Sequence, residues 1–420
     1  MISRSGTNVF RGSVFENTQK DVLFARDPFL PNTVAKPKSS FNQYGGSVGG
    51  PILKNKVFFF TTYEGYHENA GVSLSLVVPY QATKDAILAA LPYQETKIVL
   101  DTEPTATEPV VASNGTVDPA VGRYRGTGQQ IRHENHVIAK GDVAIFNGAN
   151  LAVTYTRLRP YTLQPRAYLN KSNDREFPNI QDRVATQFVM TRGRWVSESR
   201  FGYNHTYLAR FDAFLNVIDP KNSNEVLNYG RRVGLINITG LFTTPSSEIY
   251  DLTGGALSFD QKFSRSVDRH LVKFGFRWVR QTGNRMNPQN PGFTFQNLAD
   301  TLANIPTTIN MSFGAPPHRS HLDEWGGFVQ DDWRIGSKLV LNLGLRYDYY
   351  PSIKVYPTTE VPVEIVNLAP LTDINKLDFG PPVDPLHPYD DDKVNFGPRV
   401  GFAWTVPHMR RPESSRSLGR

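Results

Sequence analysis

The sequence predicts an all-β chain whose long antiparallel strands cross a membrane as part of a barrel wall. Three observations carry that expectation. Residues 338–350 alternate without a break: Leu339, Leu341, Leu343, Leu345, Tyr347 and Tyr349 share one face, and Val340, Asn342, Gly344, Arg346 and Asp348 share the other. Successive side chains of a strand point to opposite faces, and no helix keeps this pattern on one side. The same alternation recurs at several other places in the chain. Between the alternating runs, short turns and long Pro/Asn/Gly-rich spans follow one another.

Length supports a membrane strand over a soluble one. A strand of a soluble sheet runs ~5–6 residues. Crossing a bilayer takes ~9–11, with aromatic residues where hydrocarbon meets headgroups. The leucine face of 339–345 that passes into Tyr347 and Tyr349 fits the second description.

Composition narrows the classes further. Of 420 residues, 39% are hydrophobic and the longest apolar run, 86–91, is closed by Asp85 and Pro92. That is far short of the ~18 residues a spanning helix needs. Aromatic residues reach 12%, more than disordered chains carry. The absence of cysteine removes disulfides, thiolate metal sites and cysteine nucleophiles together, and leaves the compartment open. The net charge of +7 is scattered among carboxylates, whereas nucleic-acid binding requires a clustered basic face.

In chain order, the first element is a hairpin over residues 41–65. Gly45, Gly46, Gly49 and Gly50 strip side chains from its first strand, which calls for a bulge or a closely packed neighbouring backbone. Pro51 and the turn at 53–56 end that strand. Phe58 and Phe60 then share one face of the next, with Val57 and Phe59 on the other. Residues 84–91 form a short helix, stopped by Pro92, over the long span 66–131.

The later strands are marked by Leu151, Val153 and Tyr155, by Phe201, Tyr203, His205 and Tyr207, by Leu257, Phe259, Gln261 and Phe263, and by Val272, Phe274, Phe276 and Trp278. Residues 327–333 are less regular, with Asp331 between Val329 and Trp333. Short turns at Asn147-Gly148, 192–194, 264–269 and 335–337 join strand pairs, and Asn-Gly is a strong hairpin signal. The long spans 159–182, 211–253, 282–321 and 351–393 read as loops. Repeated structureless loops of that length argue against a compact soluble domain. An outer-membrane barrel has long extracellular loops and short periplasmic turns. The strand from Lys338 leaves a short turn and reaches its tyrosines beside a long loop, and Trp278 stands likewise in 271–280.

Three segments carry a family resemblance. Residues 5–16 (SGTNVFRGSVFE) resemble the start of the barrel in TonB-dependent outer-membrane receptors, in particular the Oar-like group. Residues 41–52 (FNQYGGSVGGPI) with 56–65 (KVFFFTTYEG) resemble that group's hairpin. Residues 328–333 (FVQDDW), 343–347 (LGLRY) and 396–404 (FGPRVGFAW) are similar to its mid-barrel strands. The resemblance implies a barrel of roughly 22 strands around a plug, energised through TonB. The chain supplies only about 12 candidate strands and no TonB box or plug, so it reads as a partial barrel from a longer receptor. On this reading residues 1–4 are a remnant of the plug's end, 5–406 the barrel segment and 407–420 a truncated or disordered tail. The N-terminus has no apolar stretch of the signal-peptide kind.

No motif points to catalysis, a metal or a cofactor. His133 and His136 are spaced by three, where a zinc helix needs four, and in a strand they face opposite ways. Asp390, Asp391 and Asp392, with Asp384 and His387 nearby, suggest calcium but read better as a solvated acidic loop. Among Asp323, Glu324, Asp331 and Asp332, the neighbours Asp331 and Asp332 cannot face each other across a substrate as glycosidase carboxylates do. The glycine-rich run 122–128 lies in a loop without the strand–turn–helix context of a phosphate cradle.

The candidate functional residues are the lumen-facing Lys273, Arg277, Asn342, Arg346 and Asp348. They line a substrate path, or they only bond to a plug and to each other. In a barrel, lumen residues tune selectivity. The expected function is active uptake of a nutrient such as an oligosaccharide, siderophore or peptide across the outer membrane. Expected partners are outer-membrane lipid and lipopolysaccharide, the TonB complex, and the small-molecule or oligosaccharide ligand. The alternatives are a soluble all-β adhesion or carbohydrate-binding protein built of sandwiches, and a passive porin.

Overall fold

A computed structural model describes residues 4–26, 28, 32, 35–111, 115–165, 175–212, 235–244, 249–286, 292–310, 318–356, 363–365, 379–382 and 389–405. Twelve strands follow one another in a single sheet. They are β1 (Arg11–Lys20), β2 (Ser40–Leu53), β3 (Val57–Pro79), β4 (Val117–Phe146), β5 (Ala149–Gln164) and β6 (Arg175–Arg192) in the first half. The second half holds β7 (Trp195–Asp212), β8 (Ile249–Val267), β9 (His270–Met286), β10 (His318–Ile335), β11 (Leu339–Tyr350) and β12 (Asp392–Trp404). Each pairs antiparallel with the next, so the order in space is the order in sequence, and the sheet is open between β1 and β12.

The five short connections lie at one end of this meander. Each contains one residue in the left-handed region: Asn55 at φ 62°, Gly148 at 88°, Gly193 at 59°, Asp268 at 50° and Gly336 at 75°. A tight hairpin needs positive φ, and Gly, Asn and Asp adopt it at least cost. The sequence-marked turns are therefore real, and the turn at 53–56 joins them. The long connections all lie at the other end.

Register divides the sheet into two faces. On β11, Leu341, Leu343 and Leu345 pair with Trp333, Asp331 and Val329 of β10 and with Phe402, Val400 and Pro398 of β12. Val329 pairs on to Phe274, Phe274 to Phe263, and Trp278 to both Trp325 and Phe259. Phe201, Tyr203, Phe188, Leu151 and Val153 continue the row toward β5. This face is apolar and open: Leu343 is 39% exposed, Phe276 45% and Val400 82%. No second sheet packs over it among the described residues, which sets aside the sandwich alternative.

Aromatic residues stand at both margins of the open face. Trp195, Trp333 and Trp404 lie near the short turns, while Tyr203, Trp278, Trp325 and Tyr347 lie toward the long connections. Trp325 and Trp333 are eight positions apart on β10. At ~3.3 Å per residue and a tilt of about 40°, eight positions rise roughly 20 Å, close to the ~25 Å apolar band of an outer-membrane barrel. Polar groups on this face satisfy one another. Ser199 Oγ donates to Gln261 Oε1 at 2.5 Å, Gln261 Nε2 donates to Ser197 Oγ at 2.9 Å, and His270 Nδ1 lies 2.6 Å from Asp331 Oδ2.

The structure corrects the extent of the loops. β3 runs 23 residues and β4 runs 30, so much of the span 66–131 is paired strand. β5 and β6 likewise consume both ends of the span 159–182. The glycine-rich run 122–128 sits inside β4, paired with residues 72–78 of β3. These extensions exceed the ~9–11 residues of a membrane crossing. They rise beyond the bilayer, where cross-strand pairing still satisfies the backbone but both faces can meet water, so period-two alternation fades.

The glycines of β2 also find an explanation within the chain. An added Cβ at Gly50 would lie 2.4 Å from the Phe10 ring, and one at Gly49 would lie 2.9 Å from Phe60. At Gly45 it would meet the Phe15 ring at 3.0 Å. Aromatic rings of neighbouring segments thus occupy the space over the bare positions, the Tyr63 carbonyl oxygen of β3 would stand 2.4 Å from a Cβ at Gly45, and the pairing of β2 with β3 shifts register between Pro51 and Leu53.

At the far end a small cap covers the upper strands. It contains α1 (Gln81–Ala90), α2 (Gln94–Thr102), α3 (Leu298–Leu302) and a four-stranded sheet of residues 242–243, 235–238, 292–295 and 308–310. α1 matches the sequence-derived helix over 84–91. Three connections distant in sequence share one core with the upper end of β4: Ile87, Leu91 and Leu100, with Val121 of β4, pack with Ile236, Ile238, Phe242 and Phe295. The spans 211–253 and 282–321, read as loops, thus hold ordered strands and a helix. Asn297 caps α3 by accepting from the Asp300 backbone N–H at 2.8 Å.

Candidate lumen site

Opposite the apolar face, register assembles a ladder of charge. One lateral row runs Gln187, Arg200, Asp260, Arg277, Gly326, Asp348 and Asn395 across seven strands. The row nearer the short turns runs Glu198, Lys262, Gly275, Phe328, Arg346 and Gly397. Lys273 beside Gln330, and Asn342 between Asp332 and Gly401, complete the set closer to the turns. All five sequence-derived candidates, Lys273, Arg277, Asn342, Arg346 and Asp348, therefore share this polar face.

The contacts fix most of these groups. Arg346 grips Asp348 with two hydrogen bonds, Nε to Oδ2 at 2.7 Å and Nη2 to Oδ1 at 2.6 Å. Gly326 makes room for that pair, because a Cβ there would stand 2.4 Å from Asp348 Oδ1 and 3.0 Å from Arg346 Nη2. Lys273 Nζ lies 2.5 Å from Asp332 Oδ2, and the other oxygen of that carboxylate, Oδ1, accepts from Gln330 Nε2 at 2.9 Å. Arg277 is held more loosely, 3.7 Å from Asp260 Oδ1, with more than half of its side chain exposed. Gln187 and Arg200 both donate to Glu198. Lys262 has no carboxylate at ion-pair distance among the described residues. A concavity of about 180 Å³ opens between Arg200, Lys262, Arg277 and Arg346.

Such half-exposed pairs contribute little to stability, about 0–1 kcal/mol each. What the arrangement supplies is a wet surface of closely spaced donors and acceptors that holds hydroxyl-rich or anionic solutes by exchangeable hydrogen bonds. The candidate reading missed Glu198, Arg200, Asp260 and Lys262. Counting back from the turn at Asp268 and Arg269 pairs Asp260 with Arg277, so hairpin register was the signal that reaches them.

The other carboxylates have structural employment. Asp331 bonds His270 on the apolar face, while Asp332 bonds Lys273 on the polar face, so the two do point apart. Asp323 accepts two bonds from Arg280 at 2.8 and 2.9 Å and a third from Trp278 Nε1 at 3.1 Å. Asp391 accepts from Tyr349 Oη at 2.6 Å and from the Ser352 N–H at 2.8 Å. Asp384 and His387 lie outside the described residues. His133 and His136 fall on opposite faces of β4, and the His133 ring packs edge-on against His67 at 4.7 Å. No group of three or more metal-ligating side chains occurs among the described residues.

An open apolar face with aromatic margins, a charged opposite face, tight turns at one end and elaborated connections at the other define the wall of an outer-membrane β-barrel. The chain belongs to the outer membrane beta barrel domain family, whose model matches residues 2–411, and its place is the outer membrane. No curated protein matches it. Among solved structures it is similar to the outer membrane transporter YddB from Escherichia coli, at 11% identity and a TM-score of 0.48 over 84% of this chain and 41% of that one. It is also similar to the copper transporter OprC, at 10% identity and a TM-score of 0.42 over 95% of this chain and 42% of that one. The chain thus spans about two-fifths of the length of these structures.

Proposed function

We propose that the chain forms part of the wall of a TonB-dependent transporter of the Oar-like group, and that its polar face lines the path of a nutrient such as an oligosaccharide or siderophore. The observation that carries this reading is the charge ladder Arg200, Asp260, Arg277 and Asp348, continuous across strands and facing away from the apolar surface. Stability alone gives little reason for such a row, since exposed pairs are worth so little. A folded cap above it suits capture of a solute before passage. Transport needs no covalent chemistry from these residues. A plug inside the barrel, moved by TonB from the inner membrane, supplies the gating, and the ladder supplies weak successive contacts.

In the full-length receptor, Arg277→Ala and Arg346→Ala are expected to alter uptake while the barrel still shows heat-modifiable migration. Unchanged uptake in both variants removes the substrate path and leaves the ladder as lumen bonding only. A passive porin shares the polar face and differs in having no plug. The encoded sequence upstream, read for a plug and a TonB box, separates the two.

A further inference from the structure

The cap holds a cavity of its own, away from the lumen ladder. Between α2 and the small sheet a space of about 80 Å³ is walled by Leu91, Val99, Ile236, Phe293 and Phe295. Phe293 and Ile236 are directly paired on neighbouring strands, so their side chains stand together on the face that lines it. A single water needs ~10–15 Å³ of such space. The cavity therefore takes a group of a few heavy atoms, and not a whole sugar ring or a peptide segment.

Three polar side chains line the same cavity. Thr96 of α2 is only 6% exposed, and its hydroxyl makes no hydrogen bond among the described residues. A buried hydroxyl without a partner is costly, and a ligand that brings one removes the cost. Tyr93 and Asn304 are exposed, so they mark the mouth. Asn304 sits in the left-handed region at φ 56°, where Asn is tolerated better than most residues. An apolar recess with a few placed polar groups is the usual make-up of a small-molecule site.

These features select one chemical group. Apolar walls take a methyl or short alkyl chain, the Thr96 hydroxyl donates to a carbonyl oxygen, and the Asn304 carboxamide accepts from an amide N–H. The exposed Tyr93 ring offers an apolar platform to the face of a sugar outside the cavity. A short acylamino substituent on a sugar carries the alkyl group, the carbonyl, the N–H and the ring in one piece.

We propose that the cap captures N-acylated saccharides, with the acyl group in the cavity beside Thr96 and the sugar ring against Tyr93. The site is separate from the lumen ladder. It narrows the nutrient of the proposed function, and rests on that reading only for the passage that follows capture.

The test is calorimetric titration of the full-length protein in detergent with the tetramer of N-acetylglucosamine and with the matching glucose tetramer, which lacks the acylamino group. The acetylated tetramer should bind at least about tenfold more tightly, because glucose leaves the Thr96 hydroxyl unpaired. Thr96→Val keeps the shape of the side chain and should weaken binding roughly fivefold, the worth of one hydrogen bond. Tyr93→Ala should weaken it by a similar factor, and Thr107→Val, an exposed threonine of the same cap outside the cavity, should bind as wild type. Hydrogen exchange within residues 81–102 confirms that each variant keeps a folded cap. Absence of binding to the acetylated tetramer, equal binding of the two tetramers, or wild-type affinity in Thr96→Val overturns the proposal. Loss of binding in Arg277→Ala with none in Thr96→Val would place the sugar in the lumen, overturning the cap site while the proposed function stands. Unchanged uptake in the lumen variants removes the substrate path and leaves the affinity of the cap as it was.

Discussion

Phe276 in the wall and Phe295 in the cap are the same side chain in opposite surroundings. Phe276 is 45% exposed on an open apolar face, whereas Phe295 is 1% exposed at the centre of a core drawn from three connections. The wall turns its greasy residues outward and is completed by lipid. The cap turns them inward and is completed by itself. The difference shows why one chain can read as outside-in along its strands and conventional in its connections.

The largest expected effect tests the closed region. Phe295→Ala should cost the cap about 3–5 kcal/mol, because a buried aromatic leaves a cavity that the surroundings only partly fill. Protease cleavage or hydrogen exchange within residues 81–102 should rise sharply, with the barrel's heat-modifiable migration retained. Phe276→Ala makes no comparable cavity, since lipid chains refill the space. Equal losses from the two substitutions break the comparison.

Next in size is a charge placed in the open region. Leu343 lies midway between Leu339 and Tyr347 on β11, near the centre of the apolar band. Leu343→Arg should cost ~2–4 kcal/mol of folding stability in a bilayer. Urea titration of the vesicle-inserted protein measures it, and a neutral outcome shows that this face does not meet hydrocarbon.

The smallest effect concerns a lysine inside the cap. Lys84 is 6% exposed and donates to the Glu103 carbonyl. Burial holds its pKa below the ordinary lysine value of 10.5, partly offset by the nearby charges of Glu103, Asp101 and Asp85. Its folded pKa lies below its unfolded one, so the unfolded cap binds the proton more readily in the window between them. Cap stability should therefore rise as pH climbs through that window toward 10.5, and stay flat below it. Lys84→Met should abolish the slope, read by hydrogen exchange within 81–102.

The legible part of the molecule was the part that sits in the membrane. Leu339 to Tyr349 and Val272 to Trp278 alternate because one face meets hydrocarbon and the other meets water, and that contrast is written residue by residue. The five candidate residues were placed on one face by the same parity. Less legible were the strand extensions. Residues 122–128 keep pairing in β4, yet above the membrane neither face demands a constant polarity. The cap was nearly silent apart from residues 84–91, because Ile87, Ile236 and Phe295 come from segments more than fifty residues apart and carry no common local period.

The alternation of polarity along each strand, the left-handed residues at the tight turns and the parity of Lys273, Arg277, Asn342, Arg346 and Asp348 were set by the sequence alone, because each is a local consequence of backbone geometry and solvent contrast. Only the tertiary structure decided which charges stand side by side, which rings cover the glycines of β2, and that three remote connections close into one core. Those outcomes depend on inter-strand register and on contacts across long chain separations, which no local pattern encodes.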